Sequence, residues 1–170
     1  MTANPRPAIE PATQDDLEAI TELWVRLARD QRDHDSFVHA DANRETMRET
    51  LAAHAHTDGL LVARDDGRVV GFTSFSIERG ALSLDATRGV LSNIYVDPAY
   101  RERGAGTALL EAAEGALREQ GAEVVILEVM ADNEAARRFY EQREYETYRV
   151  AMKRSLGNPS ENDTHSKEDG

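Results

Sequence analysis

The sequence predicts an α/β protein, layered in the α+β manner, in which a mixed, mostly antiparallel sheet is flanked by helices. Three observations support this prediction. Apolar residues recur at helical spacing between Thr13 and Arg32. The stretch GLLVARDDGRVVGFTSFSIE reads as two strands joined by a tight Asp-Gly turn. From residue 90 onward a strand-like run, a helical segment and a second strand-like run follow one another, which is the order of a parallel crossover.

The first half of the chain predicts two helices and a hairpin. Thr13 and Asp16 have the spacing of an N-terminal cap, so the first helix should begin there and end near Arg32. After a polar connector, a weaker helix is expected over about residues 43–56. The hairpin follows, with its turn at residues 65–67.

The second half of the chain alternates strands and helices. VLSNIYV predicts a strand, Ala105 to Gln120 a helix that Gly121 ends, and EVVILEVM a buried strand. NEAARRFYEQ predicts a short helix and Tyr145 to Arg154 a last strand. Residues 1–154 should therefore form one domain, and residues 155–170, which have almost nothing to bury, an acidic disordered tail.

The composition limits the classes of partner. The chain has 32 Asp and Glu against 20 Lys and Arg, a formal net charge of -12, which argues against nucleic acid or an anionic membrane as a partner. The acidic excess fits a protein of a high-salt cell and equally a high-GC mesophile. The absence of cysteine excludes a disulfide framework and a thiolate nucleophile. With no long apolar run, no hydrophobic leader and no metal-binding histidine pattern, a soluble cytoplasmic protein without a metal is expected.

The segment VDPAYRERGAG places two glycines and two arginines between a strand and a helix. Unpaired amides and the positive end of a helix dipole would converge there, and the glycines would let an anion approach the backbone closely. A phosphate or pyrophosphate is therefore the expected ligand, although an ordinary strand-to-helix loop explains the same residues. The loop lacks the Lys-Ser or Lys-Thr of a P-loop, and Leu109 stands where a dinucleotide fingerprint needs a small residue.

Two segments, NIYVDPAYRERGAGTALLEAAEGAL and ILEVMADNEAARRFYEQREY, resemble the GNAT superfamily of acetyl-CoA-dependent N-acetyltransferases. The resemblance implies that fold over the whole domain, acetyl-CoA as co-substrate, and two sets of coenzyme contacts. The pyrophosphate cradle would be Arg101, Glu102, Arg103, Gly104, Ala105, Gly106 and Thr107, and the pantetheine arm would contact Ile94, Tyr95 and Val96. Asn133 would hydrogen-bond the same arm, or it merely starts the following helix. Where the family has Gly-Phe this chain has Glu144 and Tyr145, so the following turn is expected to differ.

Glu128 and Tyr140 are the candidate base and acid. Strand alternation puts Glu128 in an apolar row, where desolvation would raise its pKa toward neutrality and suit it to deprotonate an ammonium. A carboxylate that reaches solvent or pairs with arginine is the alternative. Resemblance to the ribosomal-protein-alanine acetyltransferase branch places a catalytic Glu at this position. In the family the tyrosine matching Tyr140 protonates the leaving thiolate; the alternative is a core residue packed beside Phe139.

These residues favour an N-acetyltransferase that transfers the acetyl group of acetyl-CoA to a primary amine by direct attack in a ternary complex. A protein N-terminal acetyltransferase and a non-catalytic coenzyme A-binding module are the alternatives. The acceptor would be a small-molecule amine or a peptide or protein amine, contacted by about residues 29–45 and 79–89. Whether the protein is a homodimer is left open.

Overall fold

The computed structural model describes residues 6–79, 82 and 84–157. It divides into two compact units, residues 1–134 and 135–170. The predicted tail, residues 155–170, lies outside the described residues from Asn158 onward, and so do three residues of the expected acceptor loop, namely Gly80, Ala81 and Ser83. The prediction of one domain over residues 1–154 stays a prediction.

The first unit is built on a five-stranded sheet in the order β1-β2-β3-β4-β5. The strands are β1 (Ala8–Pro11), β2 (Leu60–Asp65), β3 (Arg68–Ile77), β4 (Arg88–Val96) and β5 (Val124–Leu127). The first three pairings are antiparallel and the pairing of β4 with β5 is parallel. The predicted mixed, mostly antiparallel sheet is confirmed.

Helices cover the sheet, and the second unit contributes one more helix. They are α1 (Leu17–Arg32), α2 (Arg44–His56), α3 (Ala105–Glu119) and α4 (Glu134–Glu141). The predicted cap of the first helix is present as a capping box, in which Asp16 accepts a hydrogen bond of 2.9 Å from the amide of Thr13. The cap predicted from Thr13 and Asp16 therefore lies immediately before α1.

The apolar core has separate clusters on the two faces of the sheet. One contains α1 and α2 side chains together with Phe72 and Tyr95, and the other contains Ala105 and Leu109 of α3 together with Val96. Consecutive residues of β4 thus point to opposite faces, as the period of a strand requires. The candidate site lies at the end of β4, where Tyr95 and Val96 stand.

Two expectations about strands need correction, and one strand was not predicted. β1 has only four residues, includes a proline and is mostly exposed, so it carried no alternation from which to predict it. β5 ends at Leu127, three residues before the predicted end. The segment from Tyr145 to Arg154 is not a strand in the structure, and three of its apolar side chains, Tyr148, Val150 and Met152, are exposed. Alternation creates an apolar face, but a strand also needs a ladder partner, which no described residue supplies.

Candidate active site

The ladder between β4 and β5 stops at the pair Leu91 and Leu127. One residue further along β4 its register with β3 shifts. Phe75 pairs with Leu91 but Ser74 pairs with Asn93, so Ser92 is an extra residue and forms a bulge in β4. Bulges bend a strand and end its pairing. The bulge therefore explains why β4 runs on to Val96 without β5 as a partner.

The unpaired side of β4 presents backbone groups of Ile94 and Val96. Asp97 donates its amide hydrogen to the carbonyl of Val70 on β3 at 2.8 Å. Because backbone groups alternate along an antiparallel strand, the amides of Tyr95 and Asn93 also face β3, and those of Ile94 and Val96 face away from it. This edge is where the predicted pantetheine contacts lie.

The glycine loop follows directly. A short 3-10 turn, Pro98–Tyr100, is capped by the Asp97 carboxylate, which accepts a 3.0 Å hydrogen bond from Ala99 N. Gly104 then precedes α3 with φ +78°, a conformation that favours glycine. The first intrahelical bond runs from Ala108 N to Gly104 O at 3.0 Å, and the first turn of α3 holds no acidic residue. The helix thus begins with amides directed at the loop, an arrangement suited to an anion.

Arg101 has a positioning role in addition to its charge. Its Nε donates to the carbonyl of Val96 at 3.1 Å, and its guanidinium lies 5.3 Å from the centre of the Tyr95 ring and 4.0 Å from Asp30. Burial, followed by the nearby Asp30 carboxylate, raises the pKa of the Tyr95 phenol above its usual value. Arg101 therefore ties the loop to the end of β4.

The second arginine of the loop is also partly committed. Arg103 lies 3.8 Å from the carboxylate of Asp65 and 5.3 Å from the centre of the Tyr100 ring. Glu102, between the two arginines, is exposed and adopts φ +67°. Each arginine that the sequence suggested for phosphate binding thus already faces one carboxylate.

An arginine that the sequence reasoning missed also reaches the loop. A Cβ atom added to Gly104 would lie 2.9 Å from Nε of Arg6 and 3.4 Å from its Cζ. Arg6 precedes β1, almost a hundred residues before the motif, so spacing gave no signal for it. The backbone conformation therefore favours glycine here, and the far end of the Arg6 side chain lies against it.

Glu128 does not have the environment expected of it. It follows the end of β5 and is exposed, so the apolar row that would desolvate it is absent. The expectation failed because β5 stops at the ladder's end and alternation beyond that point no longer defines a buried face. That Glu128 acts as the base stays a prediction. Its support would have to be its position after β5, because the exposed carboxylate is not desolvated.

Tyr140 lies in the second unit and is buried there among aromatic rings. Its ring centre is 5.2 Å from that of Phe139 and 5.7 Å from that of Tyr145, both edge to face. Burial raises the pKa of Tyr140 to about 12, so its phenol keeps the proton at neutral pH. This environment agrees with a proton donor and with a core residue alike. Asn133, half-buried, immediately precedes α4.

The turn after α4, where Glu144 and Tyr145 stand in place of Gly-Phe, ends the helix in a regular way. Glu144 N donates to Glu141 O and Tyr145 N to Tyr140 O, both at 3.1 Å, and Glu144 has φ +68°. These are the two bonds and the left-handed residue of a Schellman motif, accompanied by the contact between Tyr145 and Tyr140. Glutamate thus occupies a left-handed conformation that favours glycine, and the expected difference from the family's turn stays a prediction.

An open pocket of about 460 Å³ lies between α1 and the end of β4. It is lined by Arg26, Arg29, Asp30, Tyr95, Asp97, Pro98 and Ala99. Arg26 and Asp97 form an ion pair of 3.2 Å, so the lining carries balanced charge. Of the segments expected to contact an acceptor, the pocket includes only Arg29 and Asp30.

The described residues contain neither a candidate metal site nor a candidate membrane span. No group of three or more His, Asp or Glu in the described ranges is placed to hold a metal ion. No helix in that part of the chain is long and apolar enough to cross a membrane.

Comparison with known proteins connects these features to a family. A sequence model of the acetyltransferase (GNAT) family matches residues 17–145. An acetyltransferase of Pectobacterium atrosepticum is 33% identical over 136 residues, which cover 79% of this chain and 84% of that protein. An N-alpha-acetyltransferase of Sulfurisphaera tokodaii is 37% identical over 97 residues, 54% of this chain and 58% of that protein. The chain covers only part of the length of some relatives, for example 60% of an uncharacterized N-acetyltransferase of Bacillus subtilis.

The fold is similar to that of solved structures. A GCN5-related N-acetyltransferase from Ralstonia eutropha superposes with a TM-score of 0.70 at 22% identity, covering 88% of this chain and 99% of that one.

Proposed function

The chain belongs to the acetyltransferase (GNAT) family, a family of acyltransferases, and from this membership we propose that it transfers the acetyl group of acetyl-CoA to a primary amine. The observation that carries the proposal is the unpaired edge of β4 beside the glycine loop. A strand edge that presents amides and carbonyls can pair with the amide groups of a pantetheine arm, and the start of α3 can accept its pyrophosphate.

The residues present fit this co-substrate. Gly104 to Thr107 would receive the pyrophosphate, and Ile94 and Val96 would bond the pantetheine amides. The N–H of Ile94 faces the unpaired edge and would polarise the acetyl carbonyl, which is stabilisation of the oxyanion type. Arg101 would hold the cradle against β4 through Val96.

The reaction proposed is direct attack in a ternary complex. The amine nitrogen attacks the thioester carbon, the C–S bond breaks, and the thiolate leaves. Glu128 would take the ammonium proton, directly or through water, and Tyr140 would give a proton to the thiolate. Support for Tyr140 is its phenol, which burial keeps protonated; support for Glu128 is the resemblance and its place after β5.

Protein N-terminal acetylation is the second candidate for the acceptor. The N-alpha-acetyltransferase of Sulfurisphaera tokodaii, similar over half of this chain, favours it. A cavity with balanced charge does not select a strongly cationic amine, which agrees with a peptide N-terminus as well as with a small amine.

The test is an acetyl-CoA assay against a panel of small amines, polyamines and peptides with free or blocked N-termini. We expect the coenzyme thiol to be released only when an acceptor is present, and we expect mass spectrometry to detect the acetylated product. Activity on free but not on blocked peptides would identify the N-terminal acceptor. Binding of acetyl-CoA without transfer to any amine would overturn catalysis and leave a coenzyme A-binding module.

A further inference from the structure

Three arginines, Arg6, Arg101 and Arg103, lie at the glycine loop, and they differ in whether a carboxylate is close to the guanidinium. Arg101 and Arg103 lie 4.0 Å and 3.8 Å from aspartate carboxylates, and both also stack over tyrosine rings. Arg6 is exposed, and no described carboxylate forms an ion pair with it. Of the three, Arg6 therefore has the guanidinium most available to an anion.

The position of Arg6 is set by the fold. Ala8, two residues later, pairs with Arg64 on β2, and Ile9 packs into the cluster that contains Ala105 and Leu109 of α3. Pro7 is buried and restricts Arg6 to extended backbone conformations. The start of β1 is thus fixed against the first turns of α3, and the Arg6 side chain leaves it toward Gly104.

The contact with Gly104 places the cation at the loop itself. With Nε of Arg6 2.9 Å from where a Cβ of Gly104 would be, the guanidinium lies beside the residue that precedes the first amides of α3. An arginine next to helix-terminal amides can give a phosphate oxygen charge-assisted hydrogen bonds that the amides alone do not provide.

We propose that Arg6 binds the pyrophosphate of the coenzyme together with the glycine loop, an inference that rests on the proposed use of acetyl-CoA. Arg6, just before β1, is then part of the coenzyme site. Arg6 brings a charge that offsets Glu102 in the loop and the net charge of -12 of the chain, both of which oppose an anionic ligand.

The test measures binding by calorimetry on the full chain, with Arg6→Ala and Arg6→Lys as variants and Arg118→Ala as the matched control. Arg118 is exposed at the other end of α3, about 20 Å away, so the control makes the same change of net charge far from the loop. The unliganded melting temperature checks that each variant is folded. The probes are coenzyme A, 3′-dephospho-coenzyme A and pantetheine.

Arg6→Ala is expected to weaken coenzyme A and 3′-dephospho-coenzyme A equally, by about five- to tenfold, and to leave pantetheine unchanged. Arg6→Lys should recover part of the loss, and Arg118→Ala should change the dissociation constant by less than about twofold. Raising the salt concentration should shrink the difference between Arg6→Ala and wild type.

Several results would overturn the inference. Unchanged coenzyme A binding in Arg6→Ala would remove Arg6 from the site while leaving the proposed function intact. A loss that vanishes with 3′-dephospho-coenzyme A would assign Arg6 to the 3′-phosphate, and an equal loss with pantetheine would make it a packing residue of the loop. Failure of the wild-type chain to bind coenzyme A would instead refute the proposed function.

Discussion

Gly104→Ala tests whether the loop is the coenzyme site, and Gly67→Ala is its control. Both glycines have nearly the same left-handed backbone, φ +78° and φ +79°. A Cβ at Gly67, in the β2–β3 turn, would meet no atom within 4 Å, whereas at Gly104 it would enter the loop beside Arg6. The pair thus separates backbone strain from obstruction of the loop.

The strain should be equal in the two variants. Alanine at such a φ costs about 1–2 kcal/mol, and the reduced freedom of the unfolded chain returns about 0.4–1 kcal/mol. The net loss of about 1 kcal/mol lowers the melting temperature of a protein this size by about 2–4 °C. The Arg6 contact adds little to the strain at Gly104, because the end of a long side chain can move aside.

The effect on the coenzyme should differ. At about 100 times its dissociation constant, acetyl-CoA adds about 2.7 kcal/mol, a rise in melting temperature of about 5–10 °C. If the Cβ removes about two charge-assisted hydrogen bonds of about 1.5 kcal/mol each, affinity falls about a hundredfold. The same ligand concentration then adds only about 0.4 kcal/mol, a rise of about 1 °C.

The assay is a thermal melt of wild type and both variants, with and without acetyl-CoA. Gly67→Ala should melt lower but keep the full ligand shift, and Gly104→Ala should lose most of it. A shift in Gly104→Ala as large as that of Gly67→Ala would refute the assignment of the loop.

Five further predictions concern the acid, which has two, the base, the turn after α4 and the charge. Tyr140→Phe should lower turnover about 10²- to 10⁴-fold while Tyr148→Phe, at an exposed tyrosine, leaves it unchanged. Because burial raises the pKa of Tyr140 from 10.0 to about 12, its contribution to stability is complete below pH 10 and is lost as the pH rises toward 12. Urea unfolding should therefore show a fall of about 2–3 kcal/mol over that range in wild type that is absent from Tyr140→Phe, and equal falls would contradict this burial. Glu128→Gln should slow acetyl transfer and be partly rescued at high pH, where the acceptor is already deprotonated; wild-type rates at neutral pH would exclude Glu128 as base. Glu144→Gly should raise the free energy of unfolding by about 0.5–1 kcal/mol by relieving the left-handed strain, and a loss of stability in urea titrations would argue against the Schellman turn. If the acidic excess is a high-salt adaptation, the melting temperature should rise between dilute buffer and molar potassium chloride, and a flat response would count against it.

Local sequence signals predicted the parts of the fold in which local and tertiary preferences agree. The helical stripe of α1, the Asp66-Gly67 turn and the start of α3 at Gly104 all depend on residues close in sequence. β1 and the missing last strand depend instead on which segment pairs with which, and neither proline-containing AIEP nor the alternation after Tyr145 carries that information.

Some features of the candidate site could likewise be predicted from local sequence, and others could not. The glycine loop was identifiable because its chemistry requires particular residues at a fixed spacing. The exposure of Glu128 could not be predicted from the alternation, because the ladder of β5 ends where a bulge at Ser92 bends the neighbouring strand. Arg6 was missed because only the pairing of β1 with β2 carries it to the start of α3.

Beyond the bulge, the two edges of β4 differ in their hydrogen bonding: one edge is paired with β3, and the other is not paired with β5. Toward β3 the amide of Tyr95 is held in the ladder, and toward the other side the amides of Ile94 and Val96 face the gap that β5 leaves. In amide hydrogen exchange, Tyr95 should exchange slowly, and Ile94 and Val96 should exchange much faster. A co-substrate that pairs with that edge would slow these two and leave Tyr95 unaltered. If acetyl-CoA pairs there as proposed, the co-substrate would lie beside β4 as a further strand of the sheet only for the duration of a turnover.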